Sequence, residues 1–401
     1  MHLFARSLTV AALTADAVTD HCVTRAPSDM RLAEFDYHLP PELVAQYPAR
    51  RREDARMLAV DRTEGRFFDS QFRRLPEFLG PGDVLVVNNS RVLPARLLGR
   101  RAGVRAQAIG KHNPARGEYL TSPIEVLLVR RLDEDTWEAL VRPGRKVRPG
   151  ERLLFEADDT TRSLSGGKPP HLEAEVIGCG EYGLRMLRFA GEGSLEKKLE
   201  RVGHVPLPPY IHRPDEKLDR LRYQTVYARR PGSVAAPTAG LHLTKRMLGE
   251  LEKRGVEIIE VTLHVGLGTF QPVHESEIEQ HKLHPERFEI TPEAAARLNR
   301  ALDQKRRIVA VGTTSVRTLE HAALACGGRI EPGSGDTQLF IMPGFPFRVV
   351  GGLLTNFHLP RTTLLMLVAT FAGRELILAA YAHAVRERYR FYSYGDCMLI
   401  L

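Results

Sequence analysis

From Val92 to Ala190 the chain carries short β-type segments, Ile124 to Val129, Trp137 to Val141, Arg152 to Phe155, His171 to Ile177 and Leu184 to Phe189, with no helical period. The pairs Pro143-Gly144, Pro149-Gly150 and Gly166-Gly167 punctuate it. Short strands with frequent turns must close on themselves or pair as two sheets, so this stretch is expected to be a small antiparallel barrel or sandwich, inserted at 92–190. The flanks read differently. Asp83 to Asn88 is a valine-rich run bounded by Pro81-Gly82, which reads as a buried strand, and after Ser194 helices alternate with short valine- and isoleucine-rich runs. Segments 30–91 and 191–401 are therefore expected to form one three-layer α/β domain, the fold class being α/β.

The expected elements of that domain are a helix capped by Thr244 and ending near Arg254-Gly255, a strand over Val256 to Val265, and a helix opened by Thr291-Pro292. After it come a strand over Arg307 to Val311, a turn at Gly312-Thr313-Thr314 and a helix from about Ser315 to Ala325. Strands near Gln338 to Ile341 and Val349 to Asn356 precede two apolar helices, Thr362 to Phe371 and Arg374 to Arg388. Apolar runs fall well short of the roughly 20 residues that a spanning helix needs. Residues 1–29 hold a weakly apolar run broken by Asp16 and Asp20; they are expected to be a disordered extension, with Met30 as an alternative start.

Lysine and arginine number 57 against 49 acids, a net charge of +8 that favours a polyanionic partner. Cys22, Cys179, Cys326 and Cys397 lie far apart, with no C-x-x-C spacing, which fits a reducing cytoplasm and no zinc ribbon. The Walker motif is absent, and Gly266-Leu267-Gly268 is followed by Gln271 where a dinucleotide fingerprint needs glycine. His281-Lys282-Leu283-His284 with Glu286 resembles half a metal site, but without H-E-x-x-H or a nearby cysteine a polar connection making ordinary hydrogen bonds is the favoured reading over metal binding.

The positive signals are strand exits rich in glycine and hydroxyls: Val311 into Gly312-Thr313-Thr314-Ser315, and Val261 to Phe270 with His264 on the strand. Such exits present backbone N–H groups at the carboxyl edge of a sheet, where ligands bind. The small-residue tract Ser233 to His242 invites close approach of a ligand, and Leu354 to Pro360 sets Asn356 and His358 at a strand end. Basic clusters stand at Arg50-Arg51-Arg52, at Arg142-Arg145-Lys146-Arg148, and at Arg386, Arg388 and Arg390 among Tyr389, Phe391, Tyr392 and Tyr394. The last combines phosphate-seeking charge with rings for an unstacked base, or is a solvated helix end beside core tyrosines.

Asn88 to Leu97 (NNSRVLPARL), YQTVYAR from Tyr223, GSVAAPTAGLH from Gly232, TLHVGLGTFQPV from Thr262, VAVGTTSVRTLE from Val309, LLTNFHLP from Leu353 and YRFYSYGD from Tyr389 closely resemble the S-adenosylmethionine:tRNA ribosyltransferase-isomerase family. The resemblance runs from Met30 to Leu401. It implies transfer and isomerisation of the ribosyl unit of S-adenosylmethionine onto 7-aminomethyl-7-deazaguanine at the tRNA wobble position. Epoxyqueuosine remains, and adenine and methionine are released. It implies an α/β domain interrupted by a β-barrel, S-adenosylmethionine as co-substrate, no metal, tRNA as partner, no membrane, and a monomer without an obligate protein partner.

A sulfonium acidifies the ribose C5′ hydrogens, so the site needs a proton acceptor. His264 or His242 is expected to supply it, with His358 third, since each lies in a small-residue motif of the family. Tyr223, Gln224, Thr238, Gly240, Gly266, Gly268, Thr269, Gly312, Thr313, Thr314, Thr355 and Asn356 are expected around the substrate, and Arg91, Arg317, Arg388, Arg390 and Tyr392 against tRNA. Leu221, Gln338 and Gly351 stand where the family commonly carries acids. If one of those were the base, the chain would instead be a basic α/β RNA-binding protein that has lost the chemistry. A methyltransferase is disfavoured, since its glycine-rich loop after the first strand is not evident.

Overall fold

The computed structural model describes residues 31–102, 123–156, 171–180, 183–191, 193–266 and 283–401. In chain order, β1 (Arg56–Asp61), β2 (Arg66–Gln71), β3 (Val84–Asn88) and β4 (Ser90–Val92) lead into β5 (Arg96–Arg101), β6 (Pro123–Arg131), β7 (Thr136–Arg142), β8 (Arg152–Glu156), β9 (His171–Cys179) and β10 (Leu184–Phe189). Helices α1 (Leu195–Val202) and α2 (Lys217–Arg222), strand β11 (Arg230–Ser233), α3 (Lys245–Lys253), β12 (Glu257–Leu263), β13 (Glu286–Ile290) and α4 (Pro292–Asp303) follow. The chain ends with β14 (Ile308–Val311), α5 (Thr313–Ala325), β15 (Gly333–Thr337), β16 (Gly352–Asn356), α6 (Thr363–Ala372), α7 (Arg374–Arg386) and β17 (Cys397–Ile400).

Among the described residues, nine strands form one sheet in the order β15-β13-β12-β3-β14-β16-β17-β1-β2. Its centre, β12-β3-β14-β16, is parallel. β3 is buried along its whole length, and its alternating side chains divide between two cores. Val84 and Val86 join Val261, Ile308 and Ala310 against α4 to α7, while Leu85 and Val87 join Val309, Val311 and Leu354 against α3. That is the three-layer arrangement.

Strands β5 to β10 close a barrel in the order β10-β7-β6-β5-β8-β9, every pairing antiparallel. The choice between barrel and sandwich falls to the barrel, whose interior Trp137, Phe155 and Leu187 fill. The chain enters it past β4, which pairs with β11, and leaves through α1, where Arg96 and His204 form a bridge.

Two local expectations are corrected. Gln338 to Ile341 is not a strand; the strand is the preceding Gly333–Thr337, pairing at the sheet edge with β13. Leu339 and Ile341 are apolar because they are buried in the core packed by α5, and an edge strand with exposed faces needs no apolar run. α5 begins at Thr313, so the turn before it shrinks to Gly312, whose φ of 86° only glycine adopts readily. The two apolar helices α6 and α7 meet at Gly373 with a bend of 116°, and among the described residues no single helix is long and apolar enough to cross a membrane.

Candidate functional site

The parallel strands deliver Asn88 from β3, Leu263 from β12, Gly312 from β14 and Asn356 from β16 to one edge of the sheet. A cavity of about 320 Å³ opens there, lined by Thr238, Val265, Gly312, Thr313, Thr314, Thr355, Asn356, Phe357, His358 and Tyr392, among others. This is the carboxyl end of a parallel sheet, where backbone donors and loops converge on ligands. A larger surface hollow near 750 Å³, around Arg62, Gly373 and Arg374, touches none of these strand ends.

α1, α3, α4 and α6 each start with a hydroxyl that accepts a first-turn N–H: Ser194, Thr244, Thr291 and Thr362. α5 starts on Gly312 and has no side-chain cap. Ser315 N–H bonds the Gly312 carbonyl, whereas the N–H groups of Thr313 and Thr314 have no preceding turn to donate to and carry the positive end of the helix dipole to the cavity wall. Behind them Arg317 is buried; its guanidinium is paired with Glu286 and donates to the Leu339 carbonyl at 3.0 Å. Glu286 in turn accepts the Gly266 N–H at 2.9 Å, tying the exit of β12 to α5 through Arg317. The expectation that Arg317 meets tRNA is thus corrected, because at 4 % exposure it is an internal strut.

His358 lines the cavity, with its Nε2 2.9 Å from Thr355 Oγ1, and its backbone N–H donates to the Tyr381 hydroxyl. Burial lowers its pKa to about 3, so the ring is neutral. His242 is also buried and depressed by burial to about 4, but it stands behind Asn356, whose Nδ2 lies 3.2 Å from its Nε2. His264 does not line the cavity; its ring packs over Gly232, where a Cβ would come within 2.9 Å of the imidazole. Burial and Arg287 lower its pKa.

Of the residues expected around substrate, Thr238, Gly312, Thr313, Thr314, Thr355 and Asn356 line the cavity together. Tyr223, Gln224, Gly240 and Gly266 do not. Gln224 bonds both the N–H and the carbonyl of Val92, Tyr223 stacks edge-on against Tyr394, and Gly240 leaves room for the Tyr227 hydroxyl. Gly268 and Thr269 lie outside the described residues, as do Gly166-Gly167, His281 and Lys282 and the extension 1–29. His284 and Glu286 are described, and no group of three or more His, Cys, Asp or Glu able to hold a metal occurs among the described residues.

Tyr392, expected against tRNA, is buried in the cavity wall with its ring centroid 4.1 Å from that of Tyr210. Its backbone φ of 72° is unusual for an aromatic residue, a strained conformation at a site wall. Arg91 is half-exposed and paired with Glu200, and Arg388 is exposed. Sequence reasoning missed Pro209, Tyr210 and His212 in the wall. The proline-rich run Pro206 to Pro209 before Tyr210 was the available signal, since such a rigid loop suits the presentation of an aromatic ring.

The described family Queuosine biosynthesis protein matches residues 32–400 of the chain. An S-adenosylmethionine:tRNA ribosyltransferase-isomerase of Solibacter usitatus is 55% identical over 374 residues, which are 93% of this chain and all of that protein. One from Symbiobacterium thermophilum is 51% identical over 372 residues, with the same coverage. A crystal structure of S-adenosylmethionine tRNA ribosyltransferase from Thermotoga maritima is 38% identical and covers 92% of this chain and all of that one, at a TM-score of 0.49.

Proposed function

The chain belongs to the queuosine-biosynthesis protein family, and from that premise we propose that it is an S-adenosylmethionine:tRNA ribosyltransferase-isomerase. It moves the ribosyl unit of S-adenosylmethionine, not the methyl group, onto the amine of 7-aminomethyl-7-deazaguanine at the tRNA wobble position. Adenine and methionine leave, and epoxyqueuosine remains in the tRNA.

The observation that carries this reading in the structure is the make-up of the cavity wall, which has a neutral imidazole, an uncapped helix start, hydroxyls and aromatic rings, and no carboxylate among the described residues. A wall of rings such as Tyr210, Phe357 and Tyr392 suits a sulfonium cation, and a neutral His358 does not repel it. The positive end of α5 at Gly312 to Thr314 suits the methionine carboxylate. His358 is the favoured acceptor of the C5′ proton, ahead of His264 and His242. Its low pKa reflects the cost of creating a charge in a buried site. Proton transfer from a sulfonium moves a positive charge already present, so that cost does not recur. Thr355, bonded to His358 Nε2, orients the ring.

Leu221 and Gln338 are exposed, and Gly351 lies at the far end of β16 from Asn356. None belongs to the cavity wall, so the missing family acids take no group from it. The reading takes tRNA as partner, the 92–190 insert as a domain of its own, and a monomer acting in the cytoplasm where tRNA and S-adenosylmethionine occur.

Mass spectrometry of nucleosides from precursor-modified tRNA, incubated with the protein and S-adenosylmethionine, tests the reading. Epoxyqueuosine with stoichiometric adenine and methionine is expected. S-adenosylhomocysteine in place of adenine would identify a methyltransferase, and tRNA binding without product would identify the RNA-binding alternative. His358→Ala is expected to lower kcat by about 10²- to 10⁴-fold, as loss of a general base does. His264→Ala is expected to stay near wild type.

A further inference from the structure

Two basic clusters separated by more than three hundred residues in sequence meet on one surface of the folded chain. Segments 43–45 and 391 run side by side: Phe391 N–H donates to the Leu43 carbonyl, Ala45 N–H donates to the Phe391 carbonyl, and Val44 and Phe391 form a bridge. The Arg390 guanidinium reaches the Tyr47 carbonyl. Arg222 donates to the carbonyls of Ala49 and Arg50, and Arg52 to those of Leu221, Gln224 and Leu241. Arg52 and Arg222 face one another across a small cleft that also holds His242 and Ser393. Ser393 belongs to the wall of the main cavity as well.

Arg50, Arg51, Arg52, Arg222, Arg388 and Arg390 make no ion pair among the described residues, although acids are near. Glu53 is taken by Arg246, Glu387 by Arg386, and Asp396 by the backbone N–H groups of Arg56 and Arg390. Arg50, Arg51 and Arg388 are exposed. Nε of Arg222 is buried without a partner, and the charge of Arg222 helps lower the pKa of Arg52 after burial itself. Asp54 and Asp396 offset part of this charge through the backbone N–H groups of Arg51 and Arg390, but like charges held together without a directly paired carboxylate still create a field that an external anion relieves.

We infer that this surface, formed by Arg50, Arg51, Arg52 and Arg222 with Arg388 and Arg390, receives the phosphodiester backbone of an RNA strand whose base enters the neighbouring cavity. The naming of that strand as tRNA rests on the proposed function. Arg52 and Arg222 hold fixed positions because each is pinned to backbone carbonyls, which leaves Arg50, Arg51 and Arg388 as the exposed arm of the surface. The barrel cluster Arg142, Arg145 and Arg148 is also exposed, but no member of it lines the main cavity or the cleft.

The test is tRNA binding to the full-length protein as a function of salt, with Arg50→Glu/Arg51→Glu, with Arg388→Glu alone, and with Arg145→Glu/Arg148→Glu. Loss of two phosphate contacts is expected to weaken binding about tenfold and to reduce the magnitude of the log–log salt slope by about 1.4. Arg388→Glu is expected to move the same quantities about half as far on the logarithmic scale, and the barrel double variant neither. KM for tRNA should rise in the first two variants while KM for S-adenosylmethionine at saturating tRNA holds. Unchanged affinity and slope in the first two, or the loss appearing in the barrel variant, would overturn the inference. Because binding is read without turnover, a protein that binds RNA on this surface but releases no adenine would sink the proposed function and leave the surface standing.

Discussion

The side-chain amide of Asn356 donates through Nδ2 toward His242 Nε2, at 3.2 Å, and to the carbonyls of Tyr392 and Asp396 at 3.1 and 3.3 Å. Two carbonyls that only accept fix the amide's orientation, and His242 must then present a bare Nε2, which its low pKa allows. His242 is therefore a positioning residue for a cavity-wall side chain. Oδ1 of Asn356 is left buried without a donor, the kind of group a ligand satisfies. The two Nδ2 hydrogens are shared among three acceptors, so replacing His242 with leucine removes one acceptor and leaves the two carbonyls; it is expected to raise KM for S-adenosylmethionine by up to about tenfold, the effect of roughly 1 to 1.5 kcal/mol. His242→Gln, which keeps an acceptor, is expected to restore most of it. Steady-state kinetics of the pair decides, and a fall in kcat of equal size in both variants would instead make the ring a participant in the chemistry.

At the scale of the element, α5 shows why a helix start forms part of the cavity wall. Four other helices close their first turn with a serine or threonine side chain, whereas α5 follows a glycine at φ 86° and ψ 152°, a region essentially confined to glycine. Gly312→Ala is expected to cost about 1–3 kcal/mol in urea unfolding and to weaken S-adenosylmethionine binding. Thr291→Ala, which removes the cap of α4, is expected to cost about 1 kcal/mol and leave binding unchanged. Equal binding by both variants would detach α5 from the ligand. The strand-turn-helix at Val311 to Ser315 was legible because it is local: a buried valine run, a glycine, then hydroxyls. Caps at Thr244 and Thr291 were legible for the same reason. His358 and Asn356 were visible as candidates, yet their ranking against His264 depended on which strand end faces the cavity, and that is a property of sheet order. Likewise Arg317 looked like a surface arginine until Glu286, thirty-one positions earlier, was brought against it. Tyr210 entered the wall from a loop with no periodicity to read.

Among the described residues, burial keeps His242 and His358 uncharged near neutral pH, and at the scale of the whole molecule this shapes how stability responds to acid. A histidine whose folded pKa lies below its unfolded value binds its proton more readily after unfolding. Its contribution is fully present above an unfolded pKa near 6.5 and is lost as pH falls toward the folded value, about 4 for His242 and about 3 for His358. Other groups titrate in the same range. Burial alone would raise the Asp219 pKa, but hydrogen bonds from Arg213, the Glu216 N–H and Tyr394 outweigh it and hold the carboxylate low, so it too favours the fold less as acid is added. Burial raises Glu320 despite three backbone N–H donors, and it acts in the opposite sense. Comparing wild type with a single histidine variant cancels these shared contributions. Between about pH 7.5 and about pH 5, His242 alone accounts for a loss of about 2 kcal/mol in unfolding free energy. Urea unfolding of His242→Gln at the two pH values is thus expected to show a loss smaller than that of wild type by about this amount, and His358→Gln a similar reduction. Parallel losses in all three proteins would mean that these imidazoles are hydrated or charged in the folded state. The neutral cavity on which the proton-transfer argument depends would then fall with them.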